Sequence, residues 1–166
     1  DGKFSSKTRT GHTSCANVPA GSFGTDAELK YVSAGAVTMT LCPSGKASKD
    51  GKGECEKAGA GECGAKQKQG PCVAAGATMI IKCKNGSFSS KGEPCKDIKR
   101  GYFGTRQKTQ RALASEKYQL VSAGATMEVL CYPGKYNDGT SASGACTLCP
   151  PGKFFSTRGA TGAHEC

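Results

Sequence analysis

The residues of this sequence best suited to chemistry are 11 cysteines and 2 histidines. Thiolates can ligate a metal or exchange electrons, and paired they form cross-links. Cys146-Thr-Leu-Cys149, with His164 and Cys166 nearby, has the residue types of a zinc or redox site. A repeat described below supplies each of those cysteines with a disulfide partner instead, so no metal and no cofactor is expected. His12 and His164 stand near equivalent cysteines, as one loop position in two copies. No Ser/His/Asp set, phosphate loop or carboxylate cluster appears, and the chain is not expected to be an enzyme.

What positions the cysteines is an internal repeat, sought first because repeats decide the whole architecture. One phrase recurs: Ser33-Ala-Gly-Ala-Val-Thr-Met-Thr-Leu-Cys42, Ala74-Ala-Gly-Ala-Thr-Met-Ile-Ile-Lys-Cys83 and Ser122-Ala-Gly-Ala-Thr-Met-Glu-Val-Leu-Cys131. Each closing cysteine is followed by a glycine (Gly45, Gly86, Gly134) and then by another cysteine (Cys55, Cys95, Cys146). At a constant distance after Cys15, Cys55, Cys95 and Cys146 come Phe23, Cys63, Phe103 and Phe154, each just beyond a glycine. The organisation is three cysteine-rich repeats over 1–42, 43–83 and 84–131, and a partial fourth over 132–166.

One substitution within the repeat points to a contact. Where the first and third copies carry Phe23/Tyr31 and Phe103/Leu120, the second carries Cys63/Cys72. A disulfide needs Cβ atoms within about 3.5–4.5 Å, so Cys63 is predicted to bond Cys72. Phe23 should pack on Tyr31, and Phe103 on Leu120. The repeat then pairs Cys42–Cys55, Cys83–Cys95, Cys131–Cys146 and Cys149–Cys166. Cys15 is left over. Its partner in the pattern falls upstream of Asp1, so the chain reads either as a window of a longer array or as one whose Cys15 pairs with another molecule.

Large apolar side chains are scarce: 6 Phe, 5 Tyr, 3 Met and no Trp in 166 residues, beside 24 Gly. Burial alone should not offset the entropy lost on folding. Disulfides are the expected compensation, at about 2–4 kcal/mol each, and they persist in oxidising compartments. An extracellular or cell-surface location follows. No stretch approaches the roughly 18–20 apolar residues of a membrane helix, and no membrane span is expected.

The alternation of Val37, Met39 and Leu41, with β-branched Ile80, Ile81 and Val129, reads as a short strand in each repeat. Gly, Pro, Ser and Asn crowd the intervals and mark turns. The predicted fold class is small, disulfide-rich and β-rich, an elongated tandem array of short β-hairpin modules with long loops. The third repeat carries an insertion between Arg106 and Lys117 with the best helix composition in the chain, forming a short helix or a basic hairpin tip.

The residues Cys149-Pro-Pro-Gly-Lys-Phe-Phe-Ser, preceded by Cys146-Thr-Leu and followed by Gly159 to Cys166, resemble the Cys-Pro-x-Gly-x-aromatic-Ser modules of ephrin-receptor-like and TNF-receptor-like cysteine-rich repeats. The likeness is best over residues 131–166. Val18, Ala58 and Ile98 take the place of Cys149 elsewhere. The resemblance implies an extracellular disulfide-laddered rod without catalytic activity, and no particular ligand.

Two functional readings follow. The first is an extracellular structural repeat protein, a segment or subunit of a surface fibre, coat or appendage, whose partners are copies of itself or neighbouring repeats of the same polypeptide. The second is a receptor-like ectodomain binding a protein or acidic glycan, with Arg106, Lys108, Arg111 and Lys117 in the contact loop. A net charge of +10, from 23 Lys+Arg against 13 Asp+Glu, suits an acidic polysaccharide. Aromatic interleaving for base stacking is missing, so no nucleic-acid partner is expected. Asn85-Gly-Ser87 is an N-glycosylation sequon on a predicted turn.

Overall fold

The structure of the chain, a computed structural model, describes residues 2–7, 13–106, 118, 120–141 and 143–166. Among these residues every regular element is a strand, and the strands pair in chain order. β1 (Lys3–Lys7) pairs with β2 (Thr13–Asn17), β3 (Ser22–Thr25) with β4 (Thr38–Leu41), and β5 (Lys46–Ala47) with β6 (Glu56–Lys57). β7 (Glu62–Ala65) pairs with β8 (Met79–Lys82), and β9 (Ser87–Phe88) with β10 (Lys96–Asp97). β11 (Tyr102–Thr105) pairs with β12 (Met127–Leu130), and β13 (Lys135–Tyr136) with β14 (Thr147–Leu148). Each is a two-stranded antiparallel hairpin, and with five disulfides the fold is small, disulfide-rich and β-rich. The helix or hairpin expected at the insertion falls on 107–117, outside the described residues.

The chain divides into two compact units. The first comprises Asp1–Gly59, Cys63–Ile81 and Gly92–Pro94, and the second Ala60–Glu62, Lys82–Lys91 and Cys95–Cys166. In the first, successive hairpins join by backbone hydrogen bonds: Ser5 donates to Ala36 O at 2.8 Å, Gly21 to Ser48 O at 2.7 Å, and Ser48 to Ala77 O at 3.0 Å. The second repeats them residue for residue: Gly61 donates to Ser89 O at 2.7 Å, Ser89 to Ala125 O at 3.1 Å, Gly101 to Asn137 O at 2.7 Å and Asn137 to Ala160 O at 3.0 Å. A lone two-stranded hairpin is marginal in water. Bonds from each hairpin to the next replace the ladder that a wider sheet would supply.

Backbones that approach so closely leave room only for small side chains. Among the described residues, twelve of the fourteen buried apolar residues are alanine or cysteine, with Val18 and Phe103 besides. The alanines of the recurring phrase, Ala36, Ala77 and Ala125, and Ala160 after Gly159, are 0–3% exposed. Each pairs in parallel with the first strand of a hairpin: Phe4 with Ala36, Ala47 with Ala77, Phe88 with Ala125, Tyr136 with Ala160.

The alternation in β4 therefore has an unusual sense. Its threonines turn inward, where Thr40 Oγ1 lies 3.4 Å from that of fully buried Thr25. Val37, Met39 and Leu41 face out, 52%, 44% and 58% exposed. No buried side-chain nitrogen or oxygen among the described residues lacks a hydrogen bond. That meets the requirement for polar groups inside a protein.

Candidate functional site

The chemically distinctive feature is the series of disulfides. Cys42–Cys55, Cys63–Cys72, Cys83–Cys95, Cys131–Cys146 and Cys149–Cys166 are bonded, with Cα–Cα distances of 5.7 to 5.8 Å. These are the pairs read from the repeat. Each closes a local loop, with sequence separations from 9 (Cys63–Cys72) to 17 (Cys149–Cys166). The Cys-x-x-Cys segment and Cys166 hence present no thiolate. His164 Nε2 lies 3.9 Å from Glu165 Oε1; His12 lies outside the described residues. Cys15, on β2 opposite Ser5, is a free and exposed thiol.

Phe23 and Tyr31 meet at 6.4 Å between ring centroids. Phe103 and Leu120 line a common cavity of about 140 Å³ with Tyr118, Tyr132, Lys135, Ala145 and Cys146. The ring against Phe103 is Tyr132, at 5.7 Å, and the Arg158 guanidinium lies 5.0 Å over Tyr132 in cation–π contact. The Tyr132 hydroxyl also accepts a hydrogen bond from the Tyr118 amide at 2.6 Å. Sequence reasoning missed Tyr132 and Arg158. The position after the closing cysteine holds Pro43 and Lys84 in the sister copies, so the repeat carried no signal for it.

Of the expected contact loop, Lys108, Arg111 and Lys117 lie outside the described residues. Arg106 lines a cleft of about 290 Å³ with Lys82, Glu62, Thr126 and the backbone of Gly61 and Gly124. The side chains of Arg106 and Lys82 come within 3.5 and 3.6 Å of where a Cβ on Gly124 would stand. Two cations, Lys82 and Arg106, thus border one cleft together with the Glu62 carboxylate.

Asn85 is exposed on the turn before β9, whereas the sequon hydroxyl of Ser87 is 2% exposed and donates to Lys84 O at 2.9 Å. Two surface carboxylates are tuned by local turns. Asp138 is held below the usual carboxylate range by the hydroxyl and amide of Thr140. Glu165 is held low by the amide and hydroxyl of Thr161, at 2.7 and 3.0 Å. Both hydrogen-bond networks favour the charged form.

No helix among the described residues is long and apolar enough to cross a membrane. Comparison with protein-family models, curated proteins and solved structures finds no match to this chain.

Proposed function

We propose that this chain is an extracellular structural repeat protein, a segment or subunit of a surface fibre, coat or appendage. The observation that carries the reading is the recurrence of one set of backbone contacts from hairpin to hairpin. Ser5, Ser48 and Ser89 each donate to the alanine carbonyl of the next hairpin, and Asn137 to that of Ala160 in the segment after β14, at 2.8 to 3.1 Å. A joint made of backbone groups tolerates changes in exposed side chains and repeats without limit, which is what an array needs. The likeness of residues 131–166 to receptor-type cysteine-rich modules supports the same extracellular setting. Five disulfides in 166 residues require an oxidising compartment to persist. The reading assigns no catalytic residue.

The deciding experiment is immunogold labelling of intact source cells with an antibody to this chain. Label on extracellular fibres or coat, released by reductant with denaturant and not by detergent alone, is the expected result. Label confined to the cell interior would sink the reading.

A receptor-like ectodomain is the second reading, favoured by the Lys82–Arg106 cleft beside the insertion. An acidic polysaccharide is its ligand class. It expects deletion of 107–117 to abolish retention on a sulfated-glycan column while all five disulfides still form. Glycosylation at Asn85 belongs to either reading and is tested by a glycosidase-dependent mass shift of the peptide that contains it.

A further inference from the structure

Equivalent positions around the Cys42–Cys55 and Cys131–Cys146 loops share a backbone and differ in their side chains. Val32 and Val121 donate to Gly24 O and Gly104 O, each at 3.1 Å, and Lys46 and Lys135 donate to the carbonyl three residues back at 3.0 and 3.1 Å. Lys46 pairs with Lys57, two residues after Cys55, as Lys135 pairs with Leu148, two residues after Cys146. Around the first loop, the Phe23 and Tyr31 rings meet at 6.4 Å, and Lys46 Nζ lies 3.3 Å from the Oε1 of Glu54, the residue before Cys55. Around the second, the four equivalent residues are Phe103, Leu120, Lys135 and Ala145. The Cys83–Cys95 loop has Cys63, Cys72, Ser87 and Pro94 there, neither rings nor charge.

Two of these exchanges open a site. Leu120 is slimmer than the ring it replaces, and Phe103 takes Tyr132 as its neighbour instead, which leaves a cavity of about 140 Å³ lined by Phe103, Tyr118, Leu120 and Tyr132 together with Lys135 and Ala145. Ala145 carries no carboxylate, so the Lys135 ammonium lacks the partner that Lys46 keeps. Among the described residues no acidic group pairs with Lys135. Folded proteins retain few voids larger than a water molecule, and here one stands beside an unpaired cation. Its aromatic wall is already fixed: Arg158 lies over the Tyr132 ring at 5.0 Å, and the Tyr132 hydroxyl holds the Tyr118 amide. A wall ordered in advance loses little freedom when a ligand arrives.

We propose that this cavity is a subsite for one carboxylated sugar, a hexuronate unit of an acidic glycan. Its carboxylate takes, against Lys135, the part that Glu54 plays against Lys46. Its pyranose ring lies on the aromatic wall, where weakly positive C–H groups meet the negative faces of the rings. The size suits a single ring, since an apolar cavity of about 150 Å³ takes one benzene molecule. An acidic peptide side chain would satisfy Lys135 and leave the rings uncovered, and a net charge of +10 favours an anionic polymer over a neutral one. The subsite rests on the receptor-like reading, whose ligand class it narrows, and it shares no residue with the Lys82–Arg106 cleft.

The test titrates methyl glucuronide into the full, isotope-labelled chain with its disulfides formed, followed by NMR. Saturable shifts are expected at the amides of Tyr132, Lys135 and Ala145. Methyl glucoside, the same ring without the carboxylate, should bind about tenfold more weakly. Lys135→Met should lose about the same factor, while Lys135→Arg, which keeps the charge, should stay within about threefold of the parent. Ala145→Glu installs beside Lys135 the carboxylate found before Cys55, and should weaken binding as much as Lys135→Met with all five disulfides still formed. Should that variant not fold, the two Lys135 variants decide alone. Equal binding of glucoside and glucuronide, an undiminished affinity in Lys135→Met or in a folded Ala145→Glu, or tighter binding of N-acetylglutamate amide than of the glucuronide would overturn the proposal. Absence of glucuronide binding in a chain that a sulfated-glycan column retains would sink the subsite and leave the receptor-like reading standing. Lys135-dependent glucuronide binding in a chain that the column does not retain would sustain the subsite and remove the Lys82–Arg106 cleft as a glycan site.

Discussion

The β3–β4 and β7–β8 hairpins close the same loop by different means. In the first, Phe23 rests on the exposed Tyr31, with 6.4 Å between ring centroids; in the second, Cys63 and Cys72 are covalently joined. The backbone barely registers the exchange. Thr25 bridges Tyr31 as Ala65 bridges Cys72, and Val32 donates to Gly24 O at 3.1 Å as Val73 donates to Gly64 O at 2.9 Å. Thr25 and Ala65 are both fully buried. The hairpin shape thus belongs to the backbone and its glycines, and the side-chain pair only fastens it. The two fasteners act on different states. An aromatic contact stabilises the folded chain through burial, whereas a cross-link acts mainly by restricting the unfolded one.

If the shared backbone is decisive, the most damaging change should strike where no fastener sits. Gly61→Val places a branched Cβ 2.4 Å from the Gly124 carbonyl oxygen, at φ 78°. A loss of about 3–5 kcal/mol is expected from strain and overlap together, read from urea unfolding under oxidising conditions. A loss below about 1 kcal/mol, within the range of ordinary surface changes, would show that the glycine contact is not the structural joint.

Next in size is removal of the covalent fastener. Cys63→Ser with Cys72→Ser should cost about 2–3 kcal/mol for a loop this short, measured in the same way. Installing it in the sister hairpin sharpens the comparison. Phe23→Cys with Tyr31→Cys should form a sixth disulfide, seen as a loss of two hydrogens in the intact mass, and raise stability by about 1–2 kcal/mol after loss of the aromatic contact. Failure of that bond to form would mean that the two loops are not equivalent.

The smallest effect concerns the 150–166 segment, where the Thr161 bonds to Glu165 assist the Cys149–Cys166 disulfide. Glu165 has its carboxyl held low, so its contribution is present above the unfolded carboxylate value and is lost as pH falls through the folded one. Glu165→Gln should therefore lower thermal stability slightly near neutral pH and match the parent in acid. An equal deficit at both pH values would assign the effect to packing.

The repeat made much of this legible. Cys63 and Cys72 replacing Phe23 and Tyr31 disclosed a contact, because two side chains that change together in one copy must meet. The strands around Met39, Ile80 and Val129 showed in their β-branched and alternating residues. What stayed hidden was the direction of that alternation. Leu41 and Met39 would ordinarily mark a buried face, yet they face solvent because the interior is too narrow for them. Tyr132 and Arg158 occur in one copy only, so comparison of repeats could not find their contact.

The sequence by itself determined the local, covalent part of this protein: the half-units, their hairpins and the five disulfides, all set by residues near one another in the chain. The tertiary structure alone decided how glycines distant in sequence meet, as Gly21 meets Gly76 and Gly61 meets Gly124, and which face of β4 looks outward. The physical reason is that glycine has no side chain through which to announce a partner. Its contacts exist only as a close approach of backbones, and that approach is a property of the assembled fold.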